Sequence, residues 1–154
     1  MGGSLKHTPL HGEHRRLGSK LVDFNSWEMP LQYSAGILKE HEMVRTSAGL
    51  FDVSHMGRFQ IEGEGALSFI NHLVTNDIEK AADYQLLYTP ICREDGGVLD
   101  DVTVYRLPGR VLLVANAGNL QRIWSWMEKQ AAAWRGAPVR LKDRSGELAQ
   151  VAFQ

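Results

Sequence analysis

Three apolar runs in the second half of the chain predict consecutive β-strands. The runs cover Leu86–Cys92, Val98–Leu107 and Arg110–Ala115 and are rich in the β-branched and aromatic side chains that strands favour. Gly96-Gly97 and Pro108-Gly109 lie between the runs and supply turn-forming residues. Because connections this short join antiparallel neighbours, the pattern predicts an antiparallel sheet.

Apolar residues at helical spacing predict helices before and after these strands. Four segments carry this pattern: Leu10 to Leu21, Ser34 to about Ser47, Gly65 to about Asn76, and Leu120 to the stop at Gly136-Ala137-Pro138. Ser34 is predicted to cap the start of the second helix, and Gly49 suits its end. The predicted buried stripe of the last helix consists of Leu120, Ile123, Trp124, Met127 and Ala131.

Shorter segments predict further strands. Phe59 and Ile61 alternate as one short strand, and Val139–Lys142 and Leu148–Phe153 predict two more. Residues Trp27–Tyr33 predict an aromatic loop. Helices interleaved with a mainly antiparallel sheet define an α+β fold. The last apolar strand stops at the end of the sequence without a turn, so we expect a piece of a longer protein.

Two adjacent carboxylates, Asp100 and Asp101, lie inside the second predicted strand. Strands are depleted in aspartate, and a buried carboxylate is costly unless it is hydrogen-bonded or reaches a wet cavity. Successive side chains face opposite sides of a sheet, so the two carboxylates cannot share a face. Asp100 aligns with valines, and we expect it to cap the Gly96-Gly97 turn. Asp101 lies on the polar-tolerant face, where a site role and a structural role both remain open.

The same alternation assigns neighbouring polar groups to faces of the sheet. Tyr88 shares a face with Leu86, and Asn116 shares one with Val114. If these faces look the same way as Asp101, they form a wall with a carboxylate, a phenol and an amide among apolar groups. Such a wall suits a flat heteroaromatic ligand, because a carboxylate can accept two adjacent ring N–H groups.

Composition excludes several classes of function. The 17 basic and 18 acidic residues give a net charge of −1 without a basic block, which argues against nucleic-acid and membrane-surface partners. The single cysteine, Cys92, excludes a disulfide within the chain and a cysteine metal cluster. No apolar run reaches the roughly 18 residues of a membrane span, and the N-terminus lacks an apolar signal core. We therefore expect a cytoplasmic protein.

The segment from Gly49 to Gly57 is dense in reactive side chains. Asp52, Ser54 and His55 are too close in sequence to converge as a catalytic triad, and no nucleophile elbow surrounds them. We expect instead a turn in which Asp52 and Ser54 bond to the backbone. Such a turn can also border a pocket.

The histidines raise the question of a metal site. His7, His11 and His14 are spaced by four and three residues, and Glu13 is nearby. This cluster lies close to the N-terminus, and the three remaining histidines show no ligand spacing relative to it. We therefore expect no metal site.

Six short motifs stand in a recognisable order. They are Thr8-Pro9-Leu10, Val22-Asp23-Phe24, Trp27-Glu28-Met29-Pro30, Phe51-Asp52-Val53-Ser54-His55-Met56, Thr75-Asn76-Asp77 and Gly96-Gly97-Val98-Leu99-Asp100-Asp101. In order and spacing they resemble the N-terminal part of the aminomethyltransferase, or T-protein, family of the glycine cleavage system. The resemblance covers residues 7–154 and leaves residues 1–6 as an N-terminal tail. It implies that the family's C-terminal half and barrel domain are absent from this sequence.

The resemblance also implies an activity and a set of site residues. The family transfers the one-carbon unit from the aminomethyl-lipoyl arm of H-protein to the co-substrate tetrahydrofolate and releases ammonia. By position, Asp101 matches the family's essential acid beside the pterin, and Met56, Tyr88, Val114 and Asn116 match positions around the folate. We expect Asp101 to be held out of bulk solvent next to the reactive amine of the pterin.

The sequence departs from the family pattern at two points, and three alternative functions stay open. The family's chain is more than twice as long, and Arg93-Glu94-Asp95 replaces the asparagine-containing turn expected before Gly96. One alternative is another tetrahydrofolate-dependent enzyme of the superfamily, such as a demethylase of methylated amines. The others are a non-catalytic folate-binding protein and a domain without a ligand, which leaves Asp101 unexplained. Dependence on H-protein separates the first alternative from an aminomethyltransferase.

Overall fold

The computed structural model describes residues 4–154 and divides into two units: one contains the described residues up to His55 with Glu147–Gln154, and the other contains Met56–Gly146. In chain order the elements are α1 (His11–Arg16), β1 (Lys20–Phe24), β2 (Trp27–Gln32), α2 (Ile37–Thr46), β3 (Leu50–Asp52), β4 (Gly57–Glu62), α3 (Ala66–Leu73), β5 (Leu86–Cys92), β6 (Val98–Leu107), β7 (Arg110–Ala115), α4 (Leu120–Ala133), β8 (Arg140–Asp143) and β9 (Val151–Phe153). The α+β prediction is confirmed. Within residues 4–154, no helix combines the length and the apolar character needed to cross a bilayer.

The expected N-terminal tail, residues 1–6, is only partly visible. Its first three residues lie outside the described part of the chain. Lys6, by contrast, forms a parallel bridge to Trp27, where the main-chain N–H of Lys6 donates to the carbonyl of Ser26 at 2.8 Å. This bridge joins the start of the described chain to the strand β2.

Residues 20–32 form a β-hairpin, where the sequence predicted an aromatic loop over Trp27–Tyr33. β1 pairs with β2 in antiparallel orientation across the two residues Asn25 and Ser26. These residues have φ values of 51° and 65°, which suit the mirror-image turns that two-residue hairpins prefer. The loop prediction was wrong because Asn-Ser is a weaker turn signal than Asn-Gly, and because Pro30 counts against a strand.

The helix α2 begins later than predicted. It starts at Ile37 after Gly36, whose φ of 80° favours glycine, and Ser34 does not cap it. The Glu40 side chain accepts a hydrogen bond from the main-chain N–H of Tyr33 at 2.7 Å, which ties the preceding segment to the helix. Gly49 lies beyond the helix end, and its N–H bonds to the carbonyl of Gln154 beside the short β3–β9 pair.

The unit Met56–Gly146 is built on a five-stranded sheet with the order β5-β6-β7-β4-β8, in which every neighbouring pair is antiparallel. The strands β5, β6 and β7 have the predicted bounds. The helices α3 and α4 pack on one face and form the core with the inward side chains of the strands. Ile123 and Met127 of the predicted α4 stripe are fully buried there.

Candidate functional site

The second face of this sheet carries the side chains that the alternation pattern singled out. Tyr88 pairs with Thr103 across β5 and β6, and Thr103 pairs with Val114 across β6 and β7. Residues paired across strands point to the same side of a sheet, and Asp101 joins them because it precedes Thr103 by two residues. The predicted common face of Tyr88, Asp101 and Val114 is therefore present.

Met56 and Asn116 lie at the same end of the sheet as Asp101. Gly57 pairs with Ala115 across β4 and β7, so the residues just outside this pair, Met56 and Asn116, flank the strand ends. The Met56 carbonyl accepts a hydrogen bond from the Arg58 guanidinium at 2.6 Å, which fixes the backbone at the start of β4. Met56 is partly exposed.

Tyr88 and Asp101 are in direct contact. The Tyr88 hydroxyl donates a hydrogen bond to the Asp101 carboxylate. This hydrogen bond, followed by desolvation and the nearby negative charges, raises the pKa of Tyr88, because a phenolate would lose the bond and face a carboxylate. The phenol therefore stays protonated and available as a donor at neutral pH.

The Tyr88–Asp101 pair is open to solvent. Tyr88 is 62% exposed, and Asp101 is also exposed. The expectation that Asp101 is held out of bulk solvent is wrong for the chain described here. The physical reason is that α3 and α4 cover only the opposite face of β5 and β6.

Asp100 has the contrasting environment. It is 4% exposed and accepts hydrogen bonds from the main-chain N–H of Asn116 at 3.1 Å, from Asn116 Nδ2 at 3.0 Å and from Asn119 Nδ2 at 2.6 Å. Its burial agrees with the structural role expected from the sequence, but the partners differ. Asp95, and not Asp100, accepts the N–H of Gly97 in the Gly96-Gly97 turn, because the Asp100 carboxylate instead bonds to Asn116 and Asn119 beyond the end of β7.

Asn116 connects the two carboxylate positions. Besides Asp100, its Nδ2 group donates to the main-chain carbonyl of Asp101 at 2.9 Å. Asn119 then bonds to Arg122, whose guanidinium also donates to the carbonyl of Leu99. This network fixes the end of β6 that carries Asp101. Asn119 and Arg122 were not predicted from the sequence, although two asparagines before a helix are a recognisable signal for side-chain bonding to the backbone.

The other unit contains a buried polar cluster around His14. His14 Nε2 lies 2.9 Å from an Asp52 carboxylate oxygen, and His14 Nδ1 lies 2.7 Å from the Tyr33 hydroxyl. The Asp52 carboxylate also accepts the main-chain N–H of Ser54 at 2.9 Å, as the predicted turn requires. Ser54 in turn exchanges hydrogen bonds with the backbone of Gln150. The contact between His14 and Asp52 was not predicted from the sequence, because 38 residues separate the two side chains along the chain.

The pKa values in this cluster shift in opposite directions. Burial alone would raise the pKa of Asp52, but hydrogen bonds from Ser54 and His14 among others outweigh burial and lower it. Burial, followed by the negative charges of Glu40 and Asp52, raises the pKa of Tyr33. The cluster therefore keeps an ionised carboxylate and a neutral phenol on either side of one imidazole.

Known proteins resemble this chain along almost its whole length. Residues 10–154 match the family model described as the GCVT N-terminal domain. An aminomethyltransferase of Desulfitobacterium hafniense is 49% identical over 151 residues, which cover 97% of this chain and 40% of the relative. An aminomethyltransferase of Moorella thermoacetica is 47% identical over 151 residues, with the same coverage of 97% and 40%.

A solved structure has the same fold. The crystal structure of glycine cleavage system aminomethyltransferase T from Bartonella henselae matches with a TM-score of 0.88 and 38% identity, covering 98% of this chain and 41% of that chain. The chain thus spans about two fifths of the length of the curated relatives it matches, since the matched residues make up 40% of each relative. The resemblance inferred from the six sequence motifs is confirmed. The chain belongs to the GCVT N-terminal domain family.

Proposed function

We propose that this chain provides the folate-binding part of an aminomethyltransferase of glycine cleavage. In this proposal the one-carbon unit moves from the aminomethyl-lipoyl arm of H-protein to tetrahydrofolate, and ammonia is released. The family membership supports the reaction class. The expected location is the cytoplasm, and the expected macromolecular partner is lipoylated H-protein.

The observation that carries the proposal is the Tyr88–Asp101 contact on the open face of the sheet. A carboxylate at an open sheet face can accept two adjacent N–H groups of a pterin-like ring. The same negative charge would stabilise the cationic carbon that forms as the lipoyl thiol and ammonia depart. Asp101 would therefore orient the folate amine and stabilise charge, without strong proton abstraction, because a free amine is already nucleophilic.

The remaining predicted residues would shape the pocket. Tyr88 holds one oxygen of Asp101 and offers an aromatic ring at the edge of the sheet. Asn116 fixes the backbone of Asp101. Val114 lies on the same face but is only 2% exposed, so it would support the floor of the pocket from beneath. Met56 flanks the same end of the sheet and would line the ring of the ligand.

The exposure of Asp101 requires that the ligand itself removes water from the carboxylate. A flat pterin stacked over the Tyr88–Asp101 pair would do so, and lower local polarity would strengthen the charge interaction. We therefore expect Asp101 to contribute to catalysis only when tetrahydrofolate is bound.

The decisive experiment uses a hybrid enzyme. In the aminomethyltransferase of Desulfitobacterium hafniense, this chain replaces the matching segment, which is 49% identical to it. With tetrahydrofolate and aminomethyl-loaded H-protein, ammonia and the one-carbon derivative of tetrahydrofolate would be measured. With methylated amines in place of H-protein, the demethylated amine and the tetrahydrofolate derivative would be measured. Turnover that needs both H-protein and tetrahydrofolate supports the proposal. Turnover with a methylated amine alone would indicate a demethylase, and folate binding without turnover on either donor would indicate a non-catalytic folate-binding protein.

A further inference from the structure

Two histidine rings and one carboxylate converge beside the β1–β2 hairpin. The rings of His7 and His11 are stacked with their centroids 3.8 Å apart and their planes 3° from parallel. Both present Nε2 to one oxygen of Glu28, at 3.4 Å from His7 and 2.5 Å from His11. One ligand atom from each residue lies within 4.8 Å of the others.

The backbone around this cluster is held by regular hydrogen bonds. The bridge from Lys6 to Trp27 includes the N–H of Glu28, which donates to the Lys6 carbonyl at 2.9 Å and so places His7 beside Glu28. His11 is the first residue of α1, and its N–H bonds to the Thr8 carbonyl at 3.1 Å. The three side chains therefore come from two separate segments that are already in place before any ligand binds.

We propose that His7, His11 and Glu28 form a binding site for a divalent transition-metal ion of the zinc type. Two imidazole nitrogens and one carboxylate are a known three-ligand set for Zn²⁺, with the fourth position open to water. Imidazole ligands favour this group of ions over Mg²⁺ and Ca²⁺, which prefer oxygen. The site lies in a different unit from Asp101 and is independent of the folate proposal.

The spacing of the atoms suits this ion. Tetrahedral zinc with bonds of about 2.1 Å separates neighbouring ligand atoms by about 3.4 Å. The distance from His7 Nε2 to the Glu28 oxygen is already 3.4 Å. The distance from His11 Nε2 is 2.5 Å, so the carboxylate oxygen has to move by about 1 Å to make room for the ion.

The exposure of the three side chains also distinguishes a metal site from an ordinary ion pair. The side chain of His11 is 11% exposed and that of Glu28 is 33% exposed, whereas that of His7 is 53% exposed. A metal ion binds in the plane of an imidazole ring, so the parallel rings of His7 and His11 do not both point at one ion in the stacked arrangement. The His7 ring lies on the solvent side and would turn out of the stack to complete the ligand set, and its open side admits the ion and a water molecule.

Spacing along the sequence groups a different set of candidate metal ligands, in which His7 and His11 are joined by His14 and Glu13. His14 instead faces Asp52 and Tyr33, and Glu13 forms an ion pair with Arg16 at 2.8 Å. Glu28 takes their place because the hairpin brings it to the start of α1, which no spacing along the chain could indicate.

The test is titration of Zn²⁺ into the untagged chain by isothermal calorimetry, with Co²⁺ absorption as a probe of tetrahedral coordination. We expect one ion per chain. His7→Ala and Glu28→Gln should each weaken binding by more than about tenfold, since loss of even an outer-shell partner typically costs 10–100-fold. His41→Ala is the matched control, because His41 is exposed on α2 in the same unit, and it should bind as the parent does.

Circular dichroism would establish that each variant is folded, and the exposed position of His7 makes His7→Ala the most informative of them. Absence of zinc binding to the parent chain would overturn the proposal. Equal binding by the parent, His7→Ala and Glu28→Gln would overturn it as well, because the ion would then sit elsewhere. Loss of binding in both variants with retention in His41→Ala would establish the site.

Discussion

Asp100 and Asp101 are neighbours in β6, yet they lie in opposite environments. Asp100 is 4% exposed and receives three hydrogen bonds from Asn116 and Asn119. Asp101 is exposed and accepts a hydrogen bond from the hydroxyl of Tyr88. Because strand side chains alternate between faces, one carboxylate stabilises the fold while the next remains available to a ligand. The same substitution at the two positions should therefore have different effects.

Asp101→Asn should abolish most turnover and leave the fold intact. In the exchange with the Desulfitobacterium hafniense enzyme, we expect a fall in ammonia release of about 10²–10³-fold, the usual cost of removing one charge-stabilising group. Thermal unfolding should be nearly unchanged, because Asp101 is exposed. Asp95→Asn is the control, since Asp95 is an exposed aspartate in the adjoining turn. Full turnover in Asp101→Asn would reject the catalytic assignment.

Asp100→Asn should destabilise the chain by about 2 kcal/mol. The amide would lose charge-assisted hydrogen bonds and would set its own N–H groups against those of Asn116 and Asn119. Urea unfolding followed by circular dichroism measures this difference, and Glu94→Gln, at an exposed position in the turn before β6, serves as the control, with a change within about 0.5 kcal/mol. Equal stability of the two variants would show that the buried network contributes little.

Asp101→Asn should also lower the pKa of Tyr88. The hydrogen bond to Asp101 is the main reason that this pKa is raised, so its loss should move the value towards the ordinary 10.0. Carbon-13 NMR of labelled tyrosine over an alkaline titration measures the midpoint, and Tyr88→Phe identifies the signal. An unchanged midpoint would mean that the Tyr88–Asp101 contact does not persist in solution.

Asp52→Asn should reduce stability at neutral pH and flatten the response to acid. The pKa of Asp52 is lowered from the ordinary 3.8, so its stabilising effect is complete well above that value and disappears as the pH falls through the lower folded value. We expect a loss of about 1–3 kcal/mol near pH 7. The difference from the parent should shrink below about pH 4, as followed by urea unfolding from pH 7 to pH 3. A difference that stays constant with pH would contradict this linkage.

The local pattern of apolar and turn-forming residues was sufficient to predict the strands that pair with the next strand along the chain. The bounds of β5, β6 and β7 follow from β-branched runs and from glycine and proline turns, and the period of two placed Tyr88 and Asp101 on one face. The buried positions Ile123 and Met127 follow from the helical period of α4. These features depend on contacts within about twenty residues, which a sequence pattern encodes directly.

The missed features have identifiable physical causes. The hairpin was hidden because Asn25 and Ser26 adopt positive φ without a glycine to signal it. The start of α2 was misplaced because Glu40, and not Ser34, bonds to the preceding backbone. The exposure of Asp101 could not be judged either, since it depends on which face the helices cover.

By itself, the sequence determined the fold class, the central strands, the face of the sheet that carries Asp101, and the family. Only the tertiary structure decided which distant groups meet: Asn116 and Asn119 at Asp100, His14 at Asp52, and Glu28 at His7 and His11. The reason is that alternation along a strand or helix is a local steric property of the chain. Partners of a buried or clustered polar group are chosen by packing between segments, where the separation in sequence carries no information.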